Sequence, residues 1–176
     1  VLLAIGGWRG WLLVSGQSTD PILRLADSCA EDDPQPFAGA APGTELVELS
    51  AAQRSRFDAE ASRALTAQEA SDDVDRAVDH YYVRFIVANG RRLGTVVAYP
   101  GIGEEPELLR GFQAGVVQSD TNALTGRQIF VAGQSAQLHE GAGYGIVTGK
   151  NGCWGFAIHG PNGKFVSAVS RSLLVG

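Results

Sequence analysis

Methionine is absent from the 176 residues, cysteine occurs twice, and lysine occurs twice against twelve arginines. The missing initiator residue reads as a processed or trimmed chain. Two cysteines are too few for a disulfide-dense scaffold, and a chain of this length can bury a core without several disulfides or a metal. The formal net charge is −5, which argues against a nucleic-acid partner, because phosphates call for a basic surface. Long apolar runs are also lacking. Residues 1–14 are apolar apart from Arg9, fewer than the about 20 residues of a spanning helix. No second long run follows, so a multi-span protein is not expected from this stretch of sequence.

The usual chemistry-bearing motifs are missing as well. Gly101-Ile102-Gly103 resembles part of a phosphate loop but has no Gly-Lys-Ser/Thr ending, and Glu104 and Glu105 would repel phosphate. Ser119, Thr121 and Thr125 stand in "GVVQSDTNALTG" without a Gly-x-Ser-x-Gly elbow. His80, His139 and His159 show no tight zinc-ligand spacing. "YYVRFIV" followed by Arg91 and Arg92 puts aromatic and basic residues together, but arginines beside a turn read as surface residues. The 23 glycines follow no Gly-X-Y period. They punctuate short apolar runs instead, as turns in a sheet do.

What is present begins with "VLLAIGGWRGWLLVSG". Trp8 and Trp11 around Arg9 suit a membrane interface, with the rings at headgroup depth and the arginine snorkelling. A buried arginine would need a partner. The other readings are the tail of a membrane anchor or uncleaved signal sequence, and a buried strand or helix of a soluble fold. Residues 1–16 are therefore taken as an anchor or docking segment. Residues 17–43 hold a short helix, capped by Asp20 with Pro21 at its first position, and a linker with Pro34, Pro36 and Pro42. Residues 44–176 form the main domain.

Within that domain, Thr44 to His80 reads as helix. Ser50 with Gln53 and Thr66 with Glu69 have the spacing of capping boxes. Apolar stripes run through Phe57, Ala61, Ala64 and Leu65, then through Ala70, Val74, Ala77 and Tyr81. The period then shortens. Tyr81–Ala88, Asn89-Gly90 and Thr95–Tyr99 make a hairpin with a type I′ turn pair. A short helix near Leu108 and strands over Gly115–Gln118 and Gln128–Ala132 follow. "YGIVTG", "CWGFAIHG" and "KFVSAVSRS" read as three antiparallel strands. On the middle one, Trp154, Phe156 and Ile158 face one way, and Cys153, Gly155, Ala157 and His159 the other. The fold class is α+β, an N-terminal apolar segment and helices followed by a mostly antiparallel sheet that ends in a three-stranded meander.

Cys153 and His159 share a face of an extended strand, but six residues span about 20 Å, against about 3 Å for a catalytic pair. No catalytic residue, metal or cofactor is assigned. Cys29 and Cys153 are expected to form one disulfide in an oxidising compartment, the alternative being two unrelated buried thiols. From Asp27 to Asp79 thirteen acids oppose four arginines, whereas no acid follows Gly141. That asymmetry reads as a solvated acidic face beside a neutral sheet. The functional expectation is a noncatalytic envelope-associated or secreted domain, a protein-binding or accessory subunit of a larger assembly. Its contacts would be Trp8, Arg9, Trp11, Trp154 and Phe156, with a membrane interface through residues 1–14. Two alternatives stand beside it: a secreted hydrolase with a cleft near Asp120, His139, Glu140 and Cys153, and a viral or appendage structural subunit, which would have a self-assembly surface and no membrane contact.

Overall fold

The computed structural model describes residues 29, 35–37, 39–65, 81–104, 106–118 and 125–174. The apolar start, the Asp20 helix, the Thr66–Glu69 box and Asp120 lie outside these residues. The elements run β1 (Glu45–Glu48), α1 (Ala51–Leu65), β2 (Tyr82–Ala88), β3 (Arg91–Tyr99), α2 (Pro106–Gln118), β4 (Thr125–Val131), β5 (Gln134–Gly141), β6 (Tyr144–Asn151), β7 (Trp154–Gly160) and α3 (Gly163–Leu174). The strands form one antiparallel sheet in the order β1-β2-β3-β7-β6-β5-β4. This is the expected α+β class.

Local chemistry accounts for several elements. Asn89 and Gly90 take φ of 50° and 72°, the left-handed pair that a tight hairpin requires. At the start of α1, Ser50 Oγ accepts from the Gln53 amide at 3.3 Å, and Gln53 Oε1 accepts from the Ser50 amide at 2.8 Å. Both halves of the capping box are therefore made. Asn162 Oδ1 caps α3 by accepting from the Phe165 amide at 2.8 Å.

Four expectations are corrected. "KFVSAVSRS" is not a strand but lies in α3, where Val166, Val169, Ser170 and Leu173 fall on one buried helical face. The 3, 4 and 7 spacing was legible beneath an apparent alternation. The meander is instead completed upstream by β5, whose residues include no β-branched side chain to mark a strand. Gly115–Gln118 belongs to α2, because packing of Leu109, Phe112 and Val116 against the core outweighs the helix cost of Gly111 and Gly115, about 1 kcal/mol each. Finally, Glu45–Glu48 is an outer strand rather than the first turn of a helix.

Both faces of the sheet are covered. On one, Phe57, Ile102, Phe112 and Val116 pack over Val83, Val97, Ala157 and Ile146. Four rings run in series there: Phe57–Tyr81 at 5.4 Å, Tyr81–Tyr99 at 5.7 Å and Tyr99–Phe112 at 5.8 Å. On the other face, Val166, Val169 and Leu173 of α3, with Phe37 and Cys29, pack over Val96, Val147, Phe156 and Ile158. Trp154, Phe156 and Ile158 lie on the bulky face and Ala157 on the small one, as expected, whereas Cys153, expected on the small face, packs with the bulky cluster beside Cys29. The small face receives Ile102, whose side chain occupies the space that a Cβ on Gly155 would need. That close approach requires glycine.

Cys29 is bonded to Cys153 across 124 residues of sequence, with Cα atoms 5.9 Å apart. The β6–β7 turn that carries Cys153 is held on other sides too. The Gly103 amide donates to the Cys153 carbonyl at 2.8 Å, and Asn151 Nδ2 donates to the Pro36 carbonyl at 2.6 Å. Replacing both cysteines by serine is expected to lower the unfolding free energy by about 2 to 5 kcal/mol. Leu173→Ala is expected to cost about 2 to 5 kcal/mol by opening a cavity under α3. Denaturant midpoints of the purified variants check both figures.

Candidate functional site

Trp154 and Phe156, expected as partner contacts, are only 3% and 0% exposed. Phe156 meets Phe37 edge-on at 5.9 Å, so both side chains serve the core and present no contact surface. Cys153 is held in the disulfide and stands at the opposite end of β7 from His159. Trp8, Arg9, Trp11 and Asp120 lie outside the described residues.

His139 sits inside β5 rather than at a turn. Its cross-strand partner is Ile146, and the other partner of Ile146 is His159. Direct antiparallel partners point to the same face, so the two histidines are on one face with Ile146 between them. Glu140 is the next residue and points to the other face. There its carboxylate lies against Gly163 at the start of α3 and accepts from Arg127 Nη2 at 3.3 Å. A carboxylate beside a helix N-terminus is favourable through the helix dipole, which gives Glu140 a structural role. Thus His139, Glu140 and His159 do not converge. Among the described residues, no group of three or more His, Cys, Asp and Glu side chains is placed to hold a metal.

The structure brings a different set together. A cavity of about 270 Å³ opens where β3 and β6 begin and β7 ends, lined by Arg92, Leu93, Gly94, Thr95, Gly143, Tyr144, His159, Gly160 and Pro161. Its shape follows from a bulge. Ile86 pairs with Gly94 and Val87 with Arg92, so Leu93 is an extra residue in β3. In a regular strand, Arg92 and Thr95, three residues apart, would point to opposite faces. The bulge puts them on the same face. Arg92 Nη2 donates to Thr95 Oγ1 at 3.0 Å, and the guanidinium lies 3.9 Å above the Phe85 ring. Close by, a Cβ on Gly94 would strike the His159 carbonyl oxygen, so only glycine lets β3 approach β7 here.

His159 is the buried polar centre of this region, 2% exposed. Its Nδ1 shares a 2.6 Å hydrogen bond with the Tyr144 hydroxyl. Its Nε2 is buried with no partner among the described residues. Burial disfavours the imidazolium and pushes the His159 pKa down to about 3. The ring is therefore neutral at pH 7, and among the described lining residues Arg92 is the cationic one. A neutral imidazole carries one N–H, and a Tyr144 hydroxyl that donates to Nδ1 leaves that proton on Nε2. Nothing in the sequence marks Arg92 or Tyr144, because a bulge and a cross-strand contact are products of register.

The lowered pKa makes a signed prediction. Between pH 6.5 and about 3 the unfolded chain binds a proton at His159 that the folded chain does not. Stability contributed by the neutral ring is therefore present above pH 6.5 and is lost as pH falls toward 3, at about 1.4 kcal/mol per pH unit. In urea unfolding at pH 4 to 6, His159→Asn is expected to flatten the slope of stability against pH by about that amount. Equal slopes would show that His159 titrates normally in the fold.

No protein-family model, curated protein or solved structure matches the chain. The functional reading therefore rests on the geometry described above.

Proposed function

We propose that the chain is a noncatalytic domain that works outside the cytoplasm, secreted or associated with the cell envelope, as a protein-binding or accessory subunit of a larger assembly. The observation that carries this reading is the Cys29–Cys153 disulfide. Structural disulfides form and persist in oxidising compartments. Here the bond also takes the Cys153 sulfur out of service as a nucleophile. Among the described residues, no helix is long and apolar enough to cross a membrane.

With Trp154 and Phe156 in the core, the partner surface shifts to the sheet edge. Phe130 is 70% exposed on β4, an outer strand of the described sheet. Its neighbours Ile129 and Val131 point to the opposite face, toward α3. An outer strand offers unpaired backbone groups to another chain, and an aromatic side chain supplies an anchor.

The test combines thiol trapping with photo-crosslinking in the cells that make the protein. Free thiols are alkylated before lysis, and a photo-reactive side chain is placed at position 130 or, as a control, at the exposed position 164. The expected result is no alkylated cysteine, recovery in the envelope or secreted fraction, and a discrete crosslink from position 130 alone. Two alkylated cysteines in the cytoplasmic fraction would overturn the export reading. The same crosslink pattern from both positions would overturn the role of Phe130.

A further inference from the structure

We propose that β4 pairs antiparallel with β4 of a second copy of this chain, Gln128 opposite Gln128 on a two-fold axis and each Phe130 opposite Gly126 of the other copy. The proposal rests on the reading above that places the contact at Phe130, and it names what meets that ring.

Three observations carry this. The first is the backbone. β4 is the outer strand on its side of the described sheet. Its register with β5 runs without a shift from Thr125↔Glu140 to Val131↔Gln134. The connection is Ala132-Gly133, with φ of 50° and 79°, a two-residue turn of type I′. Such a turn makes its flanking residues, Val131 and Gln134, a hydrogen-bonded pair. Bonded and non-bonded pairs alternate along an antiparallel ladder, so Thr125, Arg127, Ile129 and Val131 bond to β5. The amides and carbonyls of Gly126, Gln128 and Phe130 point to the open edge instead. A two-fold axis at Gln128 joins these three residues to the same three of a second copy, Gly126 to Phe130 and Gln128 to Gln128. Every donor and acceptor of the set is then used, as a self-complementary contact requires.

The second observation is that the side chains fit the same register. Phe130 is 70% exposed and shares its face with Gly126 and Gln128. A Cβ on Gly126 would strike the His139 ring, so that ring stands over Gly126. Directly opposite residues of an antiparallel pair share a face. Phe130 of one copy therefore meets Gly126 and the His139 ring of the other, an aromatic contact repeated on both sides of the axis. Burial lowers the His139 pKa from its ordinary value, which leaves the ring neutral at pH 7.

The third is charge. β1, the other outer strand, has four residues with an acid at each end, Glu45 and Glu48. Short, charged edges of this kind resist pairing. β4 contains no acid, lysine or proline. Its one charge, Arg127, meets Glu140 of its own chain at 3.3 Å and lies on the face away from Phe130. Two copies that each carry a net charge of −5 repel one another, and β4 lets them meet without setting acid against acid.

The experiment is sedimentation velocity of the purified, oxidised full chain over a concentration series. One strand pair with a ring at each end is smaller than a standard interface of about 1,600 Å², so a reversible dimer with a Kd in the micromolar range is expected. Phe130→Lys, at an exposed position, should weaken it about tenfold or more. Gln128→Pro, which removes an amide that points away from β5, should do the same. The register is read from Gln128→Cys. Bonded partners on the axis have Cα atoms about 5.5 Å apart, within disulfide reach. Mild oxidation should therefore link this variant into a covalent dimer, and should not link Lys164→Cys. A wild-type chain that stays monomeric at millimolar concentration overturns the proposal. So does a dimer that Phe130→Lys leaves intact, or one that Gln128→Cys fails to link. If position 130 of a monomeric chain crosslinks to a different protein in cells, self-pairing falls and the protein-binding reading above stands. If the cysteines prove free in the cytoplasm, the export reading falls and the dimer is judged on sedimentation alone.

Discussion

The pairing of β3 with β7 is the constraint on which the rest depends. It joins Thr95–Tyr99 to Gly155–His159, residues far apart in sequence, and makes one sheet from two antiparallel groups of strands. On one side stand β1, β2 and β3, and on the other β4, β5, β6 and β7. Every residue of β7 is buried. A central strand of this kind has no solvent face to reveal it by alternation, and it commits the chain to covering both sides of the sheet. The helices follow from that requirement: α2 and the Ile102 loop close one side and α3 the other.

The same strand couples structure to the candidate site. At its N-terminal end, Cys153 ties the β6–β7 turn to Cys29, and Asn151 and Gly103 secure the turn further. At its C-terminal end, His159 is buried between β3 and β6 and bonded to Tyr144. One end is thus pinned covalently, while the other buries an imidazole nitrogen that has no partner among the described residues. Buried polar atoms are costly unless paired.

Legibility in the sequence tracked how local each determinant was. The Asn89-Gly90 hairpin and the Ser50–Gln53 cap were readable because their energetics lie within a few residues. The helix α3 was misread because Phe165, Val166, Val169 and Leu173 satisfy a strand pattern nearly as well as a helical one. Packing against β6 and β7 decides between them. The disulfide was readable as an expectation from the even cysteine count, but the contact that permits it is tertiary. Of the candidate site, the sequence shows His159 only as a residue on the same strand face as Cys153 and as one of three scattered histidines. Register puts His139 on the same face with Ile146 between the two rings, sets Glu140 on the other face and Cys153 at the far end of β7, and gives His159 Tyr144 as its hydrogen-bond partner.

By itself the sequence determined the class of the molecule: a chain with enough apolar residues for one core, glycine turns for an antiparallel sheet, helices with explicit caps, and a cysteine pair suited to oxidation. These depend on composition and on interactions a few residues long, which any conformation of the chain retains. Only the tertiary structure decided which side chains became interior and which came to share a cavity. It buried Trp154 and Phe156, set Ile146 between two histidines, and turned Arg92 onto the face of His159 through one extra residue at Leu93. The physical reason is the two-residue period of a strand. A single inserted residue moves a side chain to the opposite face, and where that insertion falls is set by the pairing partner rather than by the strand's own sequence.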